Sequence, residues 1–216
     1  MVHASFQHVE TWVFDLDNTL YPPAMRLFEQ VDANMTRFVM RMTGTDHAEA
    51  DRLRKKYWLD YGTTLAGLMM HHGVDPVPYL EEVHAIDFSA LAPDPALRAA
   101  ISRLPGRRIV YTNGSAPYAN QVLEHRGLSG LFDAVYGVEH AGYHPKPQPQ
   151  AFETVFRADG LAPSRAAMFE DDPRNLRVPH TMGMRTVHVA PAPLPAGESG
   201  HIDHHTDDLN AFLGRL

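Results

Sequence analysis

The ten residues Trp12–Tyr21, WVFDLDNTLY, decide how the rest of the chain is interpreted. The first three side chains are apolar and predict a buried strand, which ends at two aspartates separated by one leucine. Because alternate residues of an extended segment point to the same side, Asp15 and Asp17 face one site while Leu16 packs inward. Two close carboxylates repel each other unless a cation shares their site. The stretch therefore predicts a carboxylate nucleophile, a neighbouring acid or base and a magnesium ion, with a plain strand and polar turn as the alternative.

The composition limits the class of protein. A chain of 216 residues with 44% hydrophobic residues suits one large domain, or a core with a small accessory domain. The net charge of -7 argues against a nucleic-acid polymer as partner. Cysteine is absent, which excludes disulfides, zinc-thiolate sites and a cysteine nucleophile. Since there is no signal-type start and no apolar run of membrane-span length, we expect a soluble cytoplasmic protein without a membrane partner.

Strands and helices alternate along most of the chain, which predicts an α/β fold with a Rossmann-like parallel sheet and helices on both faces. After a first strand near residues 11–15, apolar residues recur at helical spacing, and nothing alternates like a sheet. We therefore predict an all-helical cap domain at residues 22–88, inserted into a core made of residues 1–21 and 89–216. The further strands are predicted at residues 107–111, 134–138, 166–169 and 186–189.

Three details of local structure are also predicted. Asp46 is expected to cap a helix that begins near residue 47. The last helix is expected at Asp207–Leu213, with Thr206 as its N-cap. The 14 histidines form no dedicated zinc pattern, so we expect them to be surface or capping side chains.

A second polar signal follows the next predicted strand, at Thr112, Asn113 and Gly114. A hydroxyl and free backbone N–H groups at a helix start can hold phosphate oxygens, and a plain cap and turn is the alternative. Lys146 lies between prolines in the hexapeptide HPKPQP, and the prolines fix the direction of the loop. This suggests a point charge that neutralises a carboxylate and a phosphate, with a solvated loop lysine as the alternative.

A third polar signal, the acids Glu170, Asp171 and Asp172, follows the fourth predicted strand. Consecutive acids repel one another without a cation, and magnesium prefers oxygen ligands. A helix amino terminus explains acids equally well, above all at Asp172, which precedes Pro173. Because the carboxyl ends of parallel strands meet at one edge of a sheet, the three polar signals together predict a single site.

The order of the motifs, an aspartate pair, a threonine, a lysine and an acid cluster, resembles the haloacid dehalogenase superfamily, which carries four such motifs in this order. The resemblance covers essentially the whole chain. Within that superfamily, the stretches FDLDNTLYP at 14–22 and YGTTL at 61–65 resemble the pyrimidine 5'-nucleotidase-type phosphatases. The resemblance implies a magnesium-dependent phosphatase that acts on small phosphomonoesters through an aspartyl phosphate, with pyrimidine nucleoside 5'-monophosphates as substrates.

The resemblance also implies a role for each catalytic residue. Asp15 attacks phosphorus and becomes phosphorylated. Asp17 protonates the leaving oxygen and later deprotonates water. Thr112 and the backbone at 113–114 hold the transferring group, and Lys146 balances its charge.

For the metal, the resemblance implies Mg2+ bound by Asp15, by the main-chain carbonyl of Asp17 and by Asp171. Either Glu170 or Asp172 supports the metal through water, and the sequence leaves this choice open.

In the cap, Tyr61 and Thr64 are expected to contact substrate. Tyr61 sits at a helix break beside Gly62, where its ring stacks on a base or, alternatively, packs within the cap. Thr63 or Thr64 would supply a polar contact. The expected partner is thus a small phosphorylated metabolite, a nucleoside monophosphate; monomer and homodimer both remain open.

Other readings share part of this pattern. A dehalogenase does not need Asp17, whereas a sugar phosphate phosphatase or mutase shares all four motifs. A phosphonate hydrolase would need a lysine in the cap, where only Lys55 and Lys56 are present. A phospho-accepting signalling or binding module without turnover is the alternative from another class; Asp17 and the cap argue against it, because both favour turnover.

Overall fold

The computed structural model describes residues 3–195 and 197–216. These ranges contain six strands: β1 Thr11–Phe14, β2 Arg107–Tyr111, β3 Ala134–Tyr136, β4 Ala166–Glu170, β5 Arg185–Val189 and β6 His204–Thr206. They also contain nine α-helices: α1 Leu27–Thr43, α2 His47–Tyr61, α3 Thr64–His72, α4 Pro76–Val83, α5 Pro95–Ser102, α6 Ala116–His125, α7 Pro149–Asp159, α8 Arg177–Thr181 and α9 Leu209–Leu213. The strands form one parallel sheet in the order β3-β2-β1-β4-β5-β6.

Both faces of this sheet are buried, because side chains alternate along each strand. In β1, Trp12 and Phe14 contribute to one hydrophobic core, and Val13 contributes to the other. Helices α5, α6 and α9 pack into the first core, and α7 packs into the second through Phe152 and Phe156. The predicted Rossmann-like parallel sheet with helices on both faces is therefore confirmed.

Helices α1 to α4 lie between β1 and β2 in the chain, and no strand occurs at residues 22–88. We call this segment the helical insert. The Asp46 side chain accepts a hydrogen bond from the Glu49 backbone at 3.0 Å and caps α2, as predicted. Whether the insert behaves as a separate cap domain, with boundaries at 22 and 88, stays a prediction. None of the helices in the described ranges combines the length and the apolar character that crossing a membrane requires.

Helices α2 and α3 pack closely at Gly67. A Cβ atom at this position would lie 2.3 Å from Cγ of the Tyr57 ring. Gly67→Ala must therefore push the ring or the helices apart, and we expect it to lower the free energy of unfolding by about 1–3 kcal/mol. Urea denaturation measures the change. Gly200→Ala is the matched control, because no atom lies within 4 Å of its added methyl group; equal stability of the two variants would contradict the close packing.

The end of the chain differs from the prediction. Strand β6, His204–Thr206, was not predicted, because three residues without an apolar run carry no strand pattern. Helix α9 begins at Leu209, and its N-cap is Asp208, whose side chain accepts from the Ala211 backbone at 2.9 Å. The prediction of Thr206 as the cap is wrong: Thr206 ends β6, and its hydroxyl donates to the Asp208 carbonyl at 2.8 Å.

Candidate active site

The candidate site lies where the connections of the sheet change direction. Strands β1 and β4 are neighbours, but the chain continues from β1 to β2 on one side and from β4 to β5 on the other. Such a switch point leaves a crevice at the carboxyl ends of the strands. The Asp15 backbone donates to the Phe169 carbonyl at 2.9 Å, so the two strands remain paired up to the site. The side chains that follow β1 and end β4 therefore share one crevice.

Lys146 occupies the centre of this crevice. Its Nζ donates to Oδ1 of Asp15 at 2.7 Å, to Oε2 of Glu170 at 2.6 Å and to the Tyr111 carbonyl at 3.0 Å. The residue is only 1% exposed, which excludes the solvated loop lysine. Burial alone lowers the pKa of Lys146, but the charges of Asp15 and Glu170 outweigh burial and raise it. The site therefore contains a fixed, desolvated positive charge.

The loop that carries Lys146 is held by Asn113. Oδ1 of Asn113 accepts from the Lys146 backbone at 2.8 Å, and Nδ2 donates to the Lys146 carbonyl at 3.1 Å. The insert also contacts this loop, since a Cβ at Gly62 would lie 2.8 Å from the Lys146 carbonyl oxygen. The Asn113 side chain is thus used to position the lysine. Among the described residues, its backbone N–H donates no hydrogen bond and is available to a ligand.

Three carboxylates form a cluster, and two of them contact the lysine. Oxygens of Asp15, Glu170 and Asp171 lie within 4.8 Å of one another. Burial, and then the charge of Asp15, raise the pKa of Asp171 to about 7. One lysine therefore leaves the cluster short of positive charge. Carboxylate oxygens at this spacing suit a hard cation such as magnesium, so the residues present fit the predicted metal.

Asp172 does not belong to this cluster. Its carboxylate is paired with the guanidinium of Arg174 at 2.7 Å and accepts from the Arg174 backbone at 3.0 Å. It caps a short 3-10 helix, Pro173–Leu176, which is the alternative that the sequence left open for this residue. Of the two acids that flank Asp171, it is Glu170 that shares the site with Asp15.

The side chain of Asp17 is held by two tyrosines. Its Oδ1 accepts from the hydroxyls of Tyr21 and Tyr118, each at 2.6 Å. Its Oδ2 accepts no hydrogen bond from any described residue. Burial and the neighbouring Asp15 raise the pKa of Asp17 to about 6, although the two tyrosine hydrogen bonds oppose the rise. A carboxyl group with such a pKa can both give and take a proton near neutral pH.

Thr112 and Gly114 form the opposite edge of the crevice. Oγ1 of Thr112 accepts from the Gly114 backbone at 2.9 Å, and within the described ranges its own proton has no acceptor. The backbone N–H of Asp17 likewise donates no hydrogen bond there. Asp17, Thr112 and Asn113 line the same cavity as Asp15, so these donors can bind an anion there.

The insert closes the crevice into a cavity of about 570 Å³. Its wall is largely apolar and includes the side chains of Phe28, Val31, Met35, Trp58, Leu65, Leu80 and Val83. Thr64 lines the cavity, but its hydroxyl donates to the Arg54 carbonyl at 3.2 Å, and its contact with a substrate stays a prediction.

Tyr61 does not line the cavity. Its hydroxyl lies 2.6 Å from Nε2 of His71, and its ring packs edge-on against Tyr57. In the structure it therefore has the packing role that the sequence left open, and the expected stacking on a base has no geometric support.

The sequence analysis did not predict several residues of the site. Thr19 donates to Oδ2 of Asp15 at 3.3 Å, and Asn18 donates to Asp171 at 3.3 Å. Thr19 and Tyr21 each follow an aspartate by four residues, a spacing that could have revealed them in a tight turn. Tyr118 has no such signal, because it is 101 positions away from Asp17.

The fold and the site together define a parallel α/β protein with a carboxylate–lysine centre at the carboxyl edge of its sheet. A model of the haloacid dehalogenase-like hydrolase family matches residues 9–179. The chain belongs to this family of hydrolases.

Two curated proteins are similar in sequence. Phosphate metabolism protein 8 of Saccharomyces cerevisiae is 29% identical over 196 residues, which cover 81% of this chain and 60% of that protein. Fructose-1-phosphate phosphatase YqaB of Escherichia coli is 34% identical over 86 residues, 39% of this chain and 45% of that protein. The matched part of the chain thus spans less than two thirds of either relative.

Two solved structures share the fold. CbbY from Rhodobacter sphaeroides, in complex with xylulose-(1,5)bisphosphate, has a TM-score of 0.64 at 21% identity and covers 93% of this chain and 94% of its own. YfnB from Bacillus subtilis, bound to magnesium, has a TM-score of 0.60 at 16% identity and covers 96% and 98%. At these identities the likeness concerns the fold alone.

Proposed function

We propose that this hydrolase is a magnesium-dependent phosphatase that removes phosphate from small phosphomonoesters. One observation carries the proposal: Asp15 accepts a hydrogen bond from a buried lysine within a cluster of three acids, while Oδ2 of Asp17, on the same loop, accepts none from the described residues. A nucleophile, a charge partner and an acid or base thus meet in one cavity.

In the first half of the reaction, Asp15 attacks phosphorus, and the bond between phosphorus and the leaving oxygen breaks. The leaving oxygen keeps the electron pair and takes a proton from Asp17, which yields an alcohol and an aspartyl phosphate. Thr112, Lys146 and the N–H groups of Asp17 and Asn113 support this step, because they are positioned to hold the charged phosphate oxygens.

In the second half, Asp17 accepts a proton from water as the water oxygen attacks phosphorus. The bond between phosphorus and the Asp15 oxygen breaks, inorganic phosphate is formed, and both carboxyl groups return to their starting states.

Magnesium would be held by Asp15 and Asp171 and by the main-chain carbonyl of Asp17, with Glu170 next to them. When bound, the ion neutralises phosphate charge and polarises the reacting oxygens. The excess of carboxylate charge over Lys146 supports this assignment.

The two neighbouring aspartates after β4 should differ in their effect on magnesium dependence. Asp171→Asn is expected to raise the magnesium concentration for half-maximal activity by about tenfold or more, because a cluster oxygen is lost. Asp172→Asn is the matched control and should shift it little, because that carboxylate is paired with Arg174. A magnesium titration of both variants measures this; equal shifts would show that the ligand assignment is wrong.

For the substrate, we propose pyrimidine nucleoside 5'-monophosphates. A cavity of about 570 Å³ suits a small metabolite, and its largely apolar wall suits a flat ring better than a sugar alone. Asp32 and Arg54 also line the wall and pair with each other at 2.7 Å, and the second carboxylate oxygen of Asp32 can accept a hydrogen bond from the edge of a base. The second candidate is a sugar phosphate, since the relative from Escherichia coli is a fructose-1-phosphate phosphatase.

The test is a comparison of kcat/KM for phosphate release in the presence of magnesium. The panel contains uridine and cytidine monophosphates, purine monophosphates, hexose and pentose phosphates, and a phosphopeptide as control. We expect the pyrimidine nucleotides to give the highest values. A clear preference for a sugar phosphate would overturn the substrate while sparing the phosphatase, and conversion without phosphate release would indicate a mutase. A stable phosphoprotein with no turnover would overturn the phosphatase itself.

A further inference from the structure

We propose that Tyr21 and Tyr118 are positioning residues that hold Oδ1 of Asp17, so that only Oδ2 is presented to the reacting oxygen. This inference rests on the proposed phosphatase function and deepens it.

The first argument is the geometry of the two hydrogen bonds. Both hydroxyls lie 2.6 Å from the same oxygen atom, and the two tyrosines come from different parts of the chain. Each tyrosine is 1% exposed, so the two donor side chains are shielded from bulk water. Two donors on one oxygen restrict rotation about both side-chain bonds of Asp17, because any rotation lengthens at least one of the bonds.

The second argument is that each tyrosine is itself held in place. The Tyr118 ring stacks on the His84 ring, with centroids 4.2 Å apart and planes at 8°. His84 follows α4 of the insert, and its Nδ1 lies 3.1 Å from the Ser115 hydroxyl at the start of α6. Tyr21 follows Leu20, whose carbonyl accepts from the buried guanidinium of Arg126 at 3.3 Å. The hydroxyls are therefore fixed before a substrate binds.

The third argument concerns what the reaction requires of Asp17. When the bond from phosphorus to an alkyl oxygen breaks, the strongly basic leaving oxygen needs the proton from Oδ2 in the same step. A nitrophenyl oxygen is a far weaker base and leaves with little help. If the Asp17 carboxyl group exchanged between rotamers, the cleavage of alkyl phosphates would therefore be slowed much more than that of aryl phosphates.

The experiment compares kcat/KM for uridine monophosphate and for p-nitrophenyl phosphate. The variants are Tyr21→Phe, Tyr118→Phe, the double variant and Asp17→Asn. The matched control is Tyr136→Phe, whose hydroxyl also donates to a carboxylate, that of Asp159 at 3.1 Å, but outside the cavity. On the alkyl ester we expect a loss of about tenfold for each single variant and about 100-fold for the double variant, approaching Asp17→Asn. On the aryl ester the losses should stay below about threefold, and the control should match the wild type on both esters.

The other possible outcomes would overturn either the inference or the proposed function. Equal losses on the two esters would indicate a merely structural role and would overturn the inference, as would no loss on either. A wild type that is inactive on both esters would overturn the proposed function, and the inference with it. A second measurement does not depend on activity: in a crystal structure of the double variant, the Asp17 carboxylate should occupy more than one rotamer. A single, unchanged rotamer would also overturn the inference.

Discussion

Asp15→Asn is expected to abolish phosphate release and to leave the fold intact. The amide has nearly the shape of the carboxylate, so it still fits between Lys146 and Thr19. It is not a nucleophile toward phosphorus, so no aspartyl phosphate forms, and we expect kcat to fall by at least about 1,000-fold. Phosphate release at saturating substrate measures the loss, and the thermal unfolding midpoint reports on the fold.

The control for this variant is Asp207→Asn, a change at an exposed carboxylate that does not line the cavity. It should retain the activity of the wild type. If a folded Asp15→Asn protein released phosphate at a near-normal rate, Asp15 would not be the nucleophile, and the mechanism would need another residue.

Lys146→Met is expected to have the largest effect on stability. The methionine fills most of the volume of the lysine but leaves Asp15 and Glu170 buried beside each other without their shared counter-charge. Loss of one partner from a buried ionic group lowers the free energy of unfolding by about 3–5 kcal/mol. Urea denaturation without added magnesium measures this loss, and activity should fall below detection.

A second substitution separates the electrostatic cause from a packing cause. Lys146→Met combined with Glu170→Gln removes one of the stranded charges and should recover much of the lost stability without recovering activity. Lys56→Met is the control, because that lysine is exposed and pairs with Asp60 at the surface, so little change is expected. If the double variant is no more stable than Lys146→Met, the loss comes from packing and not from charge.

Much of the fold follows from the sequence because its signals are local. The apolar runs that form β1, β2, β4 and β5 are followed by polar residues at the strand ends. The start of α2 can be predicted from Asp46, because aspartate is a preferred N-cap residue. Strand β6 is different, since its pairing with β5 decides its conformation and its own three residues do not. Thr206 was predicted as the cap of the last helix for the same reason, although it ends β6.

The site could be predicted only in part. Parallel topology brings strand ends together, so Asp15, Thr112 and Asp171 were correctly expected in one crevice. Which acid beside Asp171 enters the cluster depends on where β4 ends: Glu170 is its last residue, whereas Asp172 lies beyond it and pairs with Arg174. Which of two neighbouring acids enters the cluster depends on the direction of each side chain, and residue spacing in the sequence does not give that direction.

Contacts between site residues and side chains from distant elements could not be predicted from local sequence patterns. Tyr118 reaches Asp17 only because α6 packs beside the loop after β1, and the Asn113 side chain turns to the Lys146 backbone because both loops meet at the sheet edge. The sequence could not decide between stacking and packing for Tyr61, because its partner, His71, is brought to it by the pairing of α2 with α3.

The buried group formed by Lys146 and its carboxylates is expected to serve activity at the expense of stability. Removing one member of a buried ionic group is costly, but replacing the whole group with apolar side chains of similar volume is often neutral or stabilising. Lys146, Asp15 and Glu170 are each at most 5% exposed, so the side chains that replace them would also be shielded from water. Laboratory evolution for heat resistance alone should therefore replace these three residues together. Selection that also requires turnover should keep them and find stabilising substitutions elsewhere in the chain.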